Sequence, residues 1–245
     1  MYQPAANQRG FGLIEIMIAL VLGIVLSLGI IQIFASSKQT SVTQNAAARL
    51  QEDARYALSR MTQELRMAGM FGCLSLSSAS VAGVPAAFNT SIEWSPGSTT
   101  LTIITSHATP GVEAPTAADW TMVTDCRTTA TVHNGNTAPG AGEIALPIYQ
   151  VEYRLNTTDN VLEVRRGGSG SFSPLIGNVQ SLDVQFGLAA SAELPFVSGN
   201  YVAGSAVPNP DLIRSVRVAM VLEDPDQRAA PQTYTVVAAL RNRLP

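Results

Sequence analysis

The chain has 245 residues, 13% of them charged, and a formal net charge of −3; that length holds one globular domain of ordinary size beside one long helix, not two domains. The mild negative balance, with no run of Lys or Arg able to follow a phosphate backbone, argues against nucleic acid as an obligatory partner. Low charge with frequent Gly, Pro, Ser, Thr and Ala suits a β-rich head outside the cytoplasm.

Residues 1–10 form a polar leader that ends in Arg9-Gly10. From Phe11 to Ala35 the chain is apolar, with no charge between Ile16 and Ile31, and as a helix this stretch spans a bilayer core of about 30 Å. One carboxylate, Glu15, stands near its start. Such a group costs about 2.5–3.5 kcal/mol at the bilayer centre and less near the interface, so Glu15 asks for a partner. A secretory signal peptide fits less well, because the apolar run is long, lacks a small-residue cleavage site beyond it, and passes directly into a second helical pattern. A plain signal anchor is the other simple reading; Arg9 and Lys38 give it only a weak orientation bias.

That second pattern covers residues 36–70. Ala46, Leu50, Ala54, Leu58, Met61, Leu65 and Ala68 recur at steps of three and four, the period of one helical face, with charged and polar residues between them. No proline occurs between Pro4 and Pro85. One helix is therefore predicted from Phe11 to Ala68, about 87 Å long, its first half apolar all round and its second half packed by one face on a head formed by residues 71–245. Gly23 and Gly29 in the first half permit close approach of a neighbouring helix.

The segment from Phe71 to about Thr99 has no clear period and reads as a loop. Strands are predicted at Leu101–Thr105, Gly142–Leu146, Tyr149–Leu155, Val161–Arg165, Ser181–Phe186, Ile213–Leu222 and Thr233–Leu240 from their Val, Ile, Thr and Tyr content and partial alternation. Asn156–Asn160 reads as a hairpin loop and Gly167–Gly170 as the next turn. The expected fold class is α+β, with the long helix packed on one antiparallel sheet.

Two cysteines, Cys73 and Cys126, lie beyond the apolar segment. In an oxidising compartment an even count favours a disulfide, worth about 4 kcal/mol by loop-closure entropy; the alternative is a pair of buried free thiols. His107 and His133 stand alone, with no ligand spacing to the cysteines, and Glu223, Asp224 and Asp226 lack the spacing of a calcium loop. No metal, cofactor or catalytic group is expected, since nothing is arranged for acid–base or nucleophilic work.

Gly10, Phe11, Leu13, Ile14 and Glu15 resemble the class III signal of type IV pilins and type II secretion pseudopilins, with Gly12 where that family usually has Thr or Ser. The resemblance implies the type IV pilin fold, cleavage after Gly10 by a prepilin peptidase, and N-methylation of Phe11. The new amine would pair with Glu15 of a neighbouring copy. Gln32-Ile33-Phe34-Ala35-Ser36-Ser37-Lys38-Gln39-Thr40 and Glu64-Leu65-Arg66-Met67-Ala68-Gly69-Met70-Phe71-Gly72-Cys73 are similar to the PilW-type minor pilins, and the stretch Leu182–Gly187 is also similar to J-type pseudopilins. This implies a non-enzymatic subunit of the inner membrane, head in the periplasm, that joins other minor pilins, the major pilin and a large tip adhesin in a complex priming or capping a pilus. A pseudopilin of a type II secretion system is the alternative. A DNA-uptake pilus component is a further one, for which Arg165, Arg166, Arg214, Arg217, Arg241 and Arg243 offer only scattered basic positions.

Overall fold

A proline-free sequence and the switch from an all-apolar to a one-faced pattern produce a single helix, α1 (Leu13–Met67), 55 residues long. The computed structural model describes residues 12–76, 78–106, 117–204, 207 and 209–243; Gly10, Phe11 and His107 lie outside them. The buried face of α1 is Ala46, Leu50, Ala54, Ala57, Leu58, Met61, Thr62 and Leu65, the periodic set read from the sequence plus Ala57 and Thr62; Ala68, the last of that set, is also buried but lies just past the helix end. The helix stops at Ala68, whose extended backbone is followed by Gly69 at φ +74°, a left-handed conformation that glycine adopts without steric cost.

Among the described residues twelve strands follow: β1 (Val81–Ala82), β2 (Ile92–Ser95), β3 (Thr100–Ser106), β4 (Trp120–Thr124), β5 (Ala130–Asn134), β6 (Ile144–Asn156), β7 (Val161–Arg166), β8 (Ser173–Ile176), β9 (Val179–Leu188), β10 (Val202–Ala203), β11 (Ile213–Leu222) and β12 (Gln232–Ala239). They form two sheets where one was expected. The larger has the order β1-β5-β4-β6-β3-β2, with β7 and β8 added beside the far half of β6; the smaller has the order β10-β9-β11-β12. Pairing is antiparallel except between β1 and β5.

Strand β6 links the parts of the larger sheet. Its first residues pair with β4 and its last with β7 along one side, while β3 runs along the other. The sequence suggested a break at Pro147, but the strand runs through it. The ladder with β3 ends opposite Ile148, so no partner on that side requires the N–H that proline lacks.

The apolar face of α1 meets both sheets, in a core that includes Leu101, Ile103, Tyr153, Val216, Val218 and Ala238. A second, smaller core holds Phe71, Phe88, Ile104, Met122, Val132 and Ile148. Neighbours such as Ile103 and Ile104 point to opposite faces of β3, so the segment 71–91, expected to be a plain loop, instead covers the face turned away from the helix. Phe71 stacks on Phe88 at 4.1 Å between ring centroids, and Trp120 meets Phe88 edge-on at 5.4 Å.

The acidic turn between β11 and β12 is closed on itself. Arg228 donates from Nη2 to Asp224 Oδ1 at 2.8 Å and from Nε to Oδ2 at 2.9 Å, and its backbone N–H donates to Oδ2 at 2.8 Å. These bonds to Arg228 hold the Asp224 carboxyl down at about 2. Because the folded value lies below the unfolded one, the stabilisation is whole above about pH 4 and is lost as pH falls toward 2. Asp224→Asn is expected to lower Tm near neutral pH, with the gap to the parent protein closing across that acid window in thermal melts of the full chain in detergent. A gap that persists at the acid end would remove this role from Asp224.

Candidate functional site

The outstanding surface of the molecule is the first half of α1. Between Leu13 and Phe34 the large apolar side chains are 53–78% exposed on every side of the helix, and none of this stretch touches the head. Val42 is the first partly covered side chain and Ala46 the first buried one. The free portion is therefore about 44 Å long, and each of its large side chains would gain about 1.5–3 kcal/mol on leaving water. It is the one helix among the described residues long and apolar enough to cross a membrane, with a window of mean hydropathy 2.7.

Glu15 lies in the first turn of this helix, exposed, its N–H donating to the Gly12 carbonyl at 3.0 Å. A carboxylate there also complements the helix dipole. Gly12 is the N-cap residue, at φ −75° and ψ 147°, without a side-chain cap. A β-carbon built on Gly12, Gly23 or Gly29 would meet nothing within 4 Å, so all three leave the helix surface open to a close neighbour.

The other end of α1 is fixed to the head by polar contacts that sequence inspection missed. Glu64 accepts the Tyr153 hydroxyl at 2.6 Å, from a residue 89 positions away. Arg60 and Arg166 approach the same carboxylate at 3.8 and 3.6 Å. Tyr153 is fully buried in β6; burial and the adjacent Glu64 carboxylate push its phenol far above the ordinary range, so it stays protonated and donates. The helix carbonyls left without intrahelical partners are also met by the head: Thr105 Oγ1 donates to Met67 O at 2.8 Å and Asn242 Nδ2 to Arg66 O at 3.3 Å.

Beyond the helix the chain is pinned again. Gly69 N–H donates to Ile104 O and Ser106 N–H to Met70 O. Gly72 lies so close to Met122 that a β-carbon would collide with its sulfur. Cys73 is then bonded to Cys126, with 5.4 Å between Cα atoms, inside the normal range. Cys126 sits at φ +55° in the turn between β4 and β5. The turn is held by Asp125, whose carboxylate accepts the Thr128 hydroxyl and the backbone N–H groups of Arg127, Thr128 and Thr129; these bonds, the Thr128 hydroxyl first, keep its carboxyl well below the usual carboxylate range.

The scattered arginines are mostly engaged. Arg165 pairs with Glu152 and Arg154 with Glu163, both lying over the Phe172 ring, and Arg217 covers Tyr201. Arg214 is buried, donating to the carbonyls of Ala192, Leu194 and Asp211. Among the described residues no three His, Cys, Asp or Glu side chains are placed to hold a metal.

Tyr153→Phe removes the hydroxyl that faces Glu64 and is expected to cost about 1–3 kcal/mol in chemical denaturation of the full chain in detergent. If the Tyr153→Phe and Glu64→Gln effects simply add, the two groups do not act together. For the disulfide, Cys126→Ser is expected to lose up to about 4 kcal/mol and to speed proteolysis between residues 71 and 91, read by peptide mapping. Unchanged cleavage there would mean the segment is held by its aromatic packing alone.

Residues 5–31 match the family described as the prokaryotic N-terminal methylation motif. No curated protein matches the chain. The helix with its β-rich head has the α+β architecture of a type IV pilin. Motif and fold together suit a single-pass membrane anchor and a structural, non-enzymatic protein, and they support a type IV pilin or pseudopilin.

Proposed function

We propose that this chain is a minor pilin of the PilW type, which joins other minor pilins in a complex that primes or caps a type IV pilus. The observation that carries this reading is the exposed apolar half of α1, most of which lies within residues 5–31, the stretch that matches the N-terminal methylation motif. A prepilin peptidase cuts between Gly10 and Phe11, and Phe11 becomes an N-methylated amine. Before assembly the apolar half of α1 lies in the inner membrane with the head in the periplasm. On assembly the same surface packs against the helices of the major pilin and other minor pilins, and a large tip adhesin is a further partner.

Glu15 sets the register between subunits. In a medium of lipid or packed helices, the amine of one subunit and the carboxylate of the next neutralise each other only at one axial offset, and an unpaired charge is costly. The stretches Gln32–Thr40 and Glu64–Cys73 favour a pilus over a secretion pseudopilus by their resemblance.

Glu15→Ala tests the reading. It removes a charge from an apolar segment, so membrane insertion is expected to persist. It leaves a neighbour's amine unpaired, a loss of about 2–5 kcal/mol, so the amount recovered in sheared filaments should fall at least about tenfold on immunoblots. Recovery at the parent level would overturn the role given to Glu15. Gly10→Val should leave the protein in the membrane with its leader attached.

A further inference from the structure

Strand β12 ends the smaller sheet: one side pairs with β11 through all eight residues from Gln232 to Ala239, and among the described residues no backbone group pairs with the other side. Such an edge presents N–H and C=O groups at alternate residues. Between this edge and α1 runs a groove of about 720 Å³ with an apolar floor of Leu58, Met67 and Val236. Thr62 faces it with a buried hydroxyl that has no hydrogen-bond partner. Arg55 and Arg66 stand at its rim; both are exposed, and among the described residues neither forms an ion pair and no carboxylate lines the groove.

We propose that this groove takes an extended, acidic segment of a neighbouring subunit's head as an added strand on β12. The proposal rests on the assembly role given above and names the contact through which the head selects its neighbour. Backbone pairing supplies affinity at an open edge, and side-chain contacts supply choice. Here the choice is charge. Arg55 and Arg66 are eleven residues apart, about 16 Å along a helix, a span that an extended chain covers in about five residues; the segment therefore carries carboxylates four to six residues apart, with an apolar residue between them for the floor. The occupant is a different chain rather than a second copy. The other terminal strands of this protein, β1, β2, β8 and β10, carry a single carboxylate between them, Glu93.

The test uses the full chain in detergent micelles and a labelled Thr/Val peptide bearing two glutamates four residues apart. Two control peptides replace the glutamates by lysine or methylate the backbone nitrogens along one edge. Fluorescence anisotropy is expected to show binding of the glutamate peptide, weakened about tenfold or more in either control and in Arg55→Ser/Arg66→Ser, but unchanged in Arg49→Ser, outside the groove. Hydrogen exchange should slow at residues 232–239 when the peptide binds. Absence of binding, or equal binding of the methylated peptide, overturns the proposal. So does self-association of the full chain by light scattering that is lost in the double arginine variant, since a second copy would then be the occupant. None of these readouts depends on processing at Gly10, so a failure here leaves the assembly reading to its own test at Glu15.

Discussion

About 34 Å of helix, from Leu13 to Ala35 and apolar on all sides, stands free of the head, and water cannot solvate it without a large penalty. Every other feature of the molecule is arranged around that constraint. The helix must lie in lipid or among other helices, and the change of environment must come where the head begins. The sequence makes the change without interrupting the helix: between Phe34 and Ala46 the pattern narrows from all faces to one, and no proline or glycine intervenes. A rigid rod thus joins the membrane or filament side to the head.

A rod of this kind transmits position only if its far end is held. The head grips it by one apolar face, caps its last carbonyls from Thr105 and Asn242, and ties Glu64 to the buried Tyr153. Two cations approach the carboxylate, Arg60 from the helix and Arg166 from the sheet, so the half-buried charge is compensated rather than stranded. Past the helix, the disulfide and the Phe71–Phe88 stack hold the outgoing chain against the larger sheet. Rotation or sliding of the helix within the head would break all of these at once, so the register set at Glu15 in the proposed assembly fixes where the head's edges and grooves are presented.

The helix was legible because its signals are local. Three- and four-residue steps gave Ala46 to Ala68, and the strand Ile213–Leu222 carried its own β-rich composition. What could not be read depends on partners distant in sequence. Strands β2, β4, β5 and β8 are short, and β4 and β5 acquire their identity by pairing with each other and with β6. The segment 71–91 shows no period because it is shaped by Phe71, Phe88 and the disulfide rather than by an alternating face. Two sheets replaced one because the single apolar face of the helix meets strands of both, β3 and β8 of the larger and β11 and β12 of the smaller, which no local pattern records. Glu64 and Tyr153 were each visible, but nothing between them announces the contact.

In the proposed assembly the apolar half of α1 becomes a buried packing surface that starts at a processed Phe11. Intact mass and N-terminal fragmentation of the protein taken from sheared filaments test this most directly. The expected result is a chain that begins at Phe11 with a methylated amine and carries no residue of the leader. Assembled protein that still holds Met1 to Gly10 would contradict it.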